Sequence, residues 1–252
     1  MNEQAEETQA EEYQPPPEGW VQIPVRRGIF EITKLLDIRD RCGGRIIGGY
    51  ARWCCSERQN LHHANDVDIF PIVSQPSETS AAIFEAWKLA LTAEGLKQKH
   101  ENEVSITYEK QEEGPFLACP VIQLIKPTLE GAIVTEGTVE EVLGNFDFTV
   151  VRVALNPDRL TATAWASFVA DDKKGLLRLL NIHCPVSSLL RVCKYARKGY
   201  YCRPAEAMKL FADWDSRTPD YKSKILGLFS KGALGEISKE EIEDLEKLLH
   251  VD

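Results

Sequence analysis

The sequence has no long apolar run and no amino-terminal signal pattern. Residues 1–18 carry six glutamates and neither lysine nor arginine, so both the basic and the apolar parts of a secretory leader are missing. A membrane-spanning helix needs about 20 mainly apolar residues in a row, and no such stretch is present. We therefore expect a cytoplasmic protein with no membrane partner, in which residues 1–18 form a disordered acidic tail.

The cysteines lack the spacings of a disulfide framework or a metal site. There are seven of them, an odd number, and no two form a C-x-x-C pair. The adjacent Cys54 and Cys55, followed by His62 and His63, do not have the usual spacing of zinc ligands. This pattern favours a reduced intracellular protein without a zinc centre.

Acidic residues are absent from residues 173–203, which contain eight lysines and arginines. The formal net charge of the chain is −9, but much of that charge lies in the two terminal segments, 1–18 and 236–252. A local basic run predicts the partner better than the net charge does, and this run indicates an anionic ligand.

Within the basic run, residues 187–201 have the composition of a helix. Lys194, Arg197 and Lys198 are spaced i, i+3 and i+4, which predicts one basic stripe beside an apolar stripe of Leu189, Cys193 and Ala196. The stripe either faces a cleft and neutralises phosphates or is an ordinary solvated helix face. The complete absence of acids favours the first alternative.

Residues 43–70 contain the pattern around which the remaining elements are arranged. They predict a strand over 45–47, a turn at Gly48-Gly49, a helix over 50–56 and a strand over 66–70. Residues i and i+2 of a strand point to one face, so Asp66 and Asp68 project together. Two such carboxylates repel each other unless a cation lies between them, and Mg²⁺ binds carboxylates together with phosphate oxygens. Because glycines let a backbone approach an anion closely, the pattern predicts a site for a nucleoside triphosphate (NTP).

These residues also carry a resemblance to a known family. Gly48-Gly49-Tyr50-Ala51-Arg52 followed by Asp66-Val67-Asp68-Ile69 resembles the signature of the DNA polymerase β-type nucleotidyltransferase superfamily. The head is particularly similar to tRNA nucleotidyltransferases and bacterial poly(A) polymerases, over roughly residues 30–155. The resemblance implies an α+β fold, with a nucleotidyltransferase-like mixed sheet and flanking helices over residues 19–180. A small helical domain is expected over residues 185–252.

The resemblance implies an activity and a set of site residues. The expected reaction moves a nucleoside monophosphate from an NTP to a hydroxyl acceptor and releases pyrophosphate. Asp66 and Asp68 would bind Mg²⁺ (or Mn²⁺), and Asp147, on a predicted strand over residues 145–151, would be the third catalytic and metal-binding carboxylate. The alternative for Asp147 is an aspartate at a strand start that accepts backbone N–H groups.

Nucleotide binding is assigned to the glycine turn and to basic side chains. Gly48 and Gly49 would hold the β- and γ-phosphates, and Arg52 would either contact phosphate or fix the loop. The basic stripe is the third part of the expected nucleotide site, and it comprises Lys194, Arg197 and Lys198.

Two departures from the family pattern affect the choice of acceptor. Gly49 stands where a serine is common, and the arginine-rich base-selection motifs of tRNA nucleotidyltransferases are not found, so CCA addition is not expected. An RNA 3′ end is the favoured acceptor. The alternatives are a small-molecule or protein adenylyltransferase and a non-catalytic module that binds NTP or a partner. Base preference and oligomeric state stay open.

The remaining periodicity predicts further elements. Ser77 or Ser80 is expected to cap the helix over 81–93. The other expected helices cover 31–41, 139–143, 187–201, 204–214, 221–229 and 239–249, and the other expected strands cover 96–100, 104–108, 121–125, 160–163 and 176–180.

Overall fold

The computed structural model describes residues 18–58, 64, 66–73, 79–110, 121–127 and 137–234. Two short 3-10 helices lie at Ile29–Ile32 and Thr149–Val151. The strands and α-helices in these ranges follow the order β1 (Trp20–Pro24), α1 (Thr33–Cys42), β2 (Arg45–Ile47), α2 (Gly49–Cys55), β3 (Asp66–Phe70), α3 (Ser80–Ala93), β4 (Leu96–Glu101), β5 (Ser105–Lys110), β6 (Val121–Ile125), α4 (Val139–Gly144), β7 (Val153–Leu155), β8 (Thr161–Trp165), α5 (Phe168–Lys174), β9 (Leu176–Leu177), α6 (Pro185–Ala196), β10 (Tyr201–Cys202), α7 (Pro204–Ser216) and α8 (Pro219–Leu234).

Eight of these strands form one mixed sheet. Their order is β1-β8-β7-β2-β3-β6-β5-β4, and the neighbouring strands are antiparallel except for the parallel pair β3 and β6. Helices flank the sheet, so the predicted α+β fold is confirmed. The central position of β3 places both aspartates of the motif in the middle of the sheet.

The two faces of the sheet have different environments. Val67 and Ile69 of β3 are fully buried in the main core, together with Trp87 and Leu91 of α3. The Trp87 indole donates a hydrogen bond of 2.9 Å to the carbonyl of Gly43, which ties α3 to the end of α1. On the opposite face, a smaller apolar cluster joins β2, β3, β6 and β7 to α4. Asp66 and Asp68 alternate with Val67 and Ile69 and therefore lie on this second face.

Several boundaries differ from the predictions for local reasons. The cap of α3 is Thr79, whose hydroxyl accepts from the amide of Ala82 at 3.2 Å, rather than Ser80; Ser77 lies outside the described residues. The predicted strand over 145–151 is wrong. The Arg152 guanidinium donates to the carbonyl of Phe146 and closes a turn there, and the strand begins at Val153.

The predicted strand over 176–180 shortens to β9. This pair of residues belongs to a separate two-stranded parallel sheet with β10 and not to the main sheet. Helix α5 directly precedes β9 and is capped at its C-terminal end by Gly175, which has a left-handed φ of 65°. The helix predicted over 239–249 lies outside the described residues.

Helix α6 ends earlier than the predicted 201. Gly199 has a φ of 77°, a left-handed conformation that suits glycine and stops the helix. The amide of Gly199 bonds the carbonyl of Ala196, and the amide of Tyr200 bonds that of Tyr195. This pair of bonds is a Schellman motif, which brings Tyr200 back onto Tyr195. Their ring centroids lie 5.7 Å apart in an edge-on arrangement.

The helical part shares its core with the sheet. Tyr195, Tyr200 and Leu210 belong to the same continuous apolar cluster as the buried residues of β3 and α3. Farther from the sheet, α6, α7 and α8 line an apolar groove of about 360 Å³. Within the described ranges, no helix is both long enough and apolar enough to cross a membrane.

Candidate active site

A cavity of about 130 Å³ lies where the second face of the sheet meets α6. The glycine turn and β3 form one wall, with Gly48, Gly49, Asp66 and Asp68 in its lining. Helix α6 and the turn that follows it form the other wall. The structure therefore brings the predicted glycines and aspartates together in one pocket.

The glycine turn touches the carboxylates closely enough to require glycine at position 48. Gly48 has a φ of 76°, and a Cβ atom there would lie 3.1 Å from Oδ2 of Asp68. A side chain would therefore be strained and would crowd the carboxylate. A Cβ on Gly49 would lie 3.9 Å from Oδ1 of Asp66, an ordinary contact. Neither glycine places a side chain between its backbone and the two carboxylates.

Basic side chains line the wall that faces the carboxylates. Arg191, Lys194 and Lys198 all line the cavity, at a spacing of i, i+3 and i+7 that matches one helix face. Arg197 is exposed and is not among the lining residues, so the structure does not bring it into the cavity with the other predicted site residues. The predicted apolar stripe of Leu189, Cys193 and Ala196 is exposed, and the buried residues of α6 include Ser187, Ser188 and Tyr195.

Charged side chains of both signs act on the ammonium group of Lys198. Burial lowers the pKa of its ammonium group below the ordinary value, and the positive charges of Arg52 and Lys194 lower it further. Asp66 and Asp68 act in the opposite direction but do not restore it. An anion between Lys198 and Lys194 would relieve this repulsion, so the pocket favours a negatively charged ligand.

Asp147 also lines the cavity, but its carboxylate has protein partners. It is only 4% exposed, and its Oδ2 accepts a hydrogen bond of 3.0 Å from the Ser188 hydroxyl and one of 3.2 Å from the Arg191 guanidinium. Its Oδ1 accepts from the amide of Phe148 at 3.0 Å. Asp147 therefore connects the segment before β7 to α6.

The described part of the chain contains no group of three or more His, Cys, Asp or Glu side chains close enough to hold a metal ion. The expected triad of Asp66, Asp68 and Asp147 is thus not assembled in this structure. Asp66 and Asp68 remain suited to Mg²⁺, which is bound by one or two carboxylates plus substrate phosphates. For Asp147, the metal role remains a hypothesis, and the observed contacts indicate that it positions Arg191.

Arg52 lies beneath the pocket and is not in its lining. It is fully buried, and its guanidinium carbon lies 5.2 Å from the Tyr195 ring centroid and 5.1 Å from that of Tyr200. Its nitrogens make no hydrogen bond to the described residues, so stacking on the two rings is its main interaction. Of the two predicted roles, the geometry favours fixing the loop over contact with phosphate.

A buried polar network surrounds these two tyrosines. The Tyr200 hydroxyl and the Ser56 hydroxyl both donate to the carboxylate of Asp172. Burial raises the pKa of the Tyr195 phenol to about 12, so this group is neutral in the physiological range. The network joins the end of α2 to the end of α6, and it holds the two walls of the pocket together.

Three polar lining residues, Arg191, Tyr195 and Gln123, were missed from the sequence. Arg191 lies in the basic run one turn before Lys194, and the i, i+3, i+7 spacing would have selected it in place of Arg197. Tyr195 is one of three tyrosines in the basic run, and no local pattern distinguishes it from the other two. Gln123 has no local signal, because its place beside Asp68 follows from the pairing of β3 with β6.

The comparisons with known proteins give structural matches alone. No protein-family model and no curated protein matches the chain. A tRNA-processing enzyme in an apo form is 17% identical with a TM-score of 0.49, over 92% of this chain and 59% of that chain. The Thermotoga maritima CCA-adding enzyme complexed with tRNA is 16% identical with a TM-score of 0.47, over 90% of this chain and 69% of that chain.

A third match is the Bacillus stearothermophilus CCA-adding enzyme in complex with CTP. It is 16% identical with a TM-score of 0.45, over 86% of this chain and 48% of that chain. The chain therefore spans about half to two thirds of the length of these solved chains.

Proposed function

We propose that the chain is a metal-dependent nucleotidyltransferase. More specifically, it moves a nucleoside monophosphate from an NTP to the hydroxyl at an RNA 3′ end. The observation that carries this proposal is the pairing of Asp66 and Asp68 on one wall of a pocket with three basic side chains on the other wall. Carboxylates bind a metal ion and basic side chains bind phosphate groups. A pocket with both therefore suits a metal-bound polyphosphate better than a metal ion or a polyphosphate alone.

Asp66 and Asp68 would hold the divalent ion, Mg²⁺ or Mn²⁺. When bound, such an ion neutralises phosphate charge and lowers the barrier to attack by a hydroxyl. The chain's own residues bind and orient the substrate. Gly48 and Gly49 allow the backbone to approach the phosphates, while Lys194, Lys198 and Arg191 offset their negative charge.

The proposed reaction is a substitution at the α-phosphorus. The acceptor oxygen forms a bond to that phosphorus, the bond between the α-phosphorus and its bridging oxygen to the β-phosphate breaks, and pyrophosphate leaves with that oxygen. The hydroxyl proton passes to a pocket carboxylate and then to water. Arg191 and Lys194 stabilise the charge that develops on the leaving pyrophosphate.

The experiment incubates the protein with each of the four α-³²P-labelled NTPs, Mg²⁺ or Mn²⁺, and one acceptor class at a time. The acceptors are short RNA, total protein and a panel of small hydroxyl compounds. We expect label on RNA. Label on protein or a small molecule would support the adenylyltransferase alternatives, and NTP binding without any transfer would support the non-catalytic module.

A further inference from the structure

Gln123 occupies a place in the pocket that the proposed function leaves without a role. In the parallel pairing of β3 with β6, Gln123 stands opposite Asp68. Adjacent strands lie about 4.8 Å apart, and paired residues share a face, so the amide is a direct neighbour of the carboxylate. Both residues line the cavity, and Gln123 is half-buried there.

The amide group of Gln123 is available to a ligand. This side-chain amide makes no hydrogen bond to the residues that the structure describes. The other polar groups of the lining are charged or phenolic, whereas an amide both donates and accepts without carrying charge. A hydroxyl group matches this combination, since it too donates and accepts.

The order of the strands indicates which of the two substrates, the NTP or the acceptor, lies beside Gln123. Strand β3 lies between β2, which leads into Gly48, and β6, which carries Gln123. Gly48 and Gln123 therefore flank the carboxylates on opposite sides. In phosphoryl transfer the attacking and leaving oxygens lie in line on opposite sides of the phosphorus. If the pyrophosphate leaves on the glycine side, the acceptor hydroxyl arrives on the side of Gln123.

We propose that Gln123 is a specificity-determining residue that binds the hydroxyls of the acceptor's terminal ribose. This inference rests on the proposed function and names the acceptor subsite within it. Thr107 of β5 stands opposite Gln123 in the antiparallel pairing of β5 with β6, and its hydroxyl extends the polar row in the direction of the sheet edge. The subsite therefore begins beside Asp68 and continues along β6 and β5.

The test measures equilibrium binding of a 5′-fluorescein-labelled single-stranded RNA without NTP, so that no transfer takes place. The RNA is made with a ribose at its 3′ end and, separately, with a 2′,3′-dideoxyribose. The variants are Q123M, which keeps the volume and removes the amide, and Q123A as a second form in case the first folds poorly. Q22A is the matched control, because Gln22 is an exposed glutamine on the strand at the opposite edge of the sheet.

The wild type and Q22A should bind the ribose end about tenfold more tightly than the dideoxy end, the effect of one or two added hydrogen bonds. Both Gln123 variants should bind the two ends within about twofold of each other while ATP affinity stays unchanged. A preference that survives in Q123M and Q123A, or that is absent from the wild type, overturns the assignment of Gln123. If the wild type transfers label from NTP in the same preparation, the proposed function stands despite that failure. If it neither binds ATP nor transfers label, both fail.

Discussion

The Arg191 guanidinium lies 3.2 Å from the Asp147 carboxylate inside the pocket. Arg191 is partly exposed, whereas Asp147 is buried. The contact with the buried Asp147 carboxylate therefore holds the Arg191 guanidinium in the cavity. Asp147 is itself held by Ser188 and by the amide of Phe148. We infer that Asp147 acts through Arg191 and that its contact fixes the position of a phosphate-binding group.

The variant D147N separates this role from that of a metal ligand. It keeps the shape and one accepting oxygen but removes the charge that holds Arg191. A hydrogen bond to a charged group contributes about 1.5–3 kcal/mol, so the KM for NTP should rise roughly tenfold or more with a smaller change in kcat. Steady-state kinetics over NTP and Mg²⁺ concentrations checks this. A collapse of kcat with unchanged NTP affinity would instead support the third metal carboxylate.

Lys198 should make NTP binding depend on pH in the alkaline range. Its pKa lies below the ordinary lysine value of 10.5 because of burial and the charges of Arg52 and Lys194. The ammonium group attracts phosphate only while protonated, so affinity should be full at lower pH and should fall as the pH rises through the depressed pKa.

Calorimetric titration of ATP between pH 7 and 10 measures this effect. K198Q should bind ATP more weakly at neutral pH and show a flatter pH profile, whereas K198R should retain binding at the upper end. The control is R197Q, which changes an exposed cation outside the lining and should follow the wild type. If the pH profile of ATP affinity changed as much in R197Q as in K198Q, Arg197 would belong to the nucleotide site.

Arg52 should act on stability more than on ligand binding. R52A removes a fully buried side chain that stacks on Tyr195 and Tyr200, and truncations of large buried side chains lose about 2–5 kcal/mol of unfolding free energy. Urea denaturation measures the loss. The exposed change R197A should stay within about 0.5 kcal/mol of the wild type. An R52A protein of normal stability that no longer binds ATP would mean that Arg52 contacts phosphate.

Local signals in the sequence identified one wall of the site. Alternation along β3 placed Asp66 and Asp68 on one face, and the paired glycines fixed the turn beside them, because both patterns act within a few residues. The other wall depends on tertiary contacts. The predicted basic stripe contained Arg197 in place of Arg191, because the i, i+3 and i+4 spacing does not tell which face of α6 packs over the sheet.

Two errors show what local propensity leaves out. Residues 145–151 have the composition of a strand, yet Thr149–Val151 form a 3-10 helix and the bonds from Arg152 to Phe146 close the segment into a turn. Gln123 was not singled out because no short-range pattern indicates which strand pairs with β3. In both cases the local structure depends on a contact between two residues, and the conformational preference of each residue alone does not reveal that contact.

Asp171 should give the fold an acid-sensitive contribution to stability. It is buried, and burial alone would raise the pKa of its carboxyl. The ion pair with Arg178 and the hydrogen bonds from Ser167 and Thr149 lower the pKa below the ordinary 3.8 instead. A depressed folded pKa means that the stabilisation is present above about pH 4 and is lost as the pH falls through the folded value.

The variant D171N should therefore be less stable than the wild type at pH 7, and the difference should shrink as the pH falls below about 4. Thermal unfolding at a series of pH values measures it. D215N is the control, since the Asp215 side chain is 94% exposed and its neutralisation should have little effect at any of these pH values. A D171N curve parallel to that of the wild type throughout would contradict the ion-pair account.

The most direct test of the central claim follows the two ends of the triphosphate separately. The wild type, D66N and D68N are incubated with Mg²⁺, an RNA with a free 3′ hydroxyl, and NTP labelled at either the α- or the γ-phosphate. We expect the wild type to place α-label on RNA and to release γ-label as pyrophosphate, and we expect both variants to fold normally but to transfer nothing. Transfer of γ-label to RNA, or near-normal transfer by D66N and D68N, would contradict the central claim.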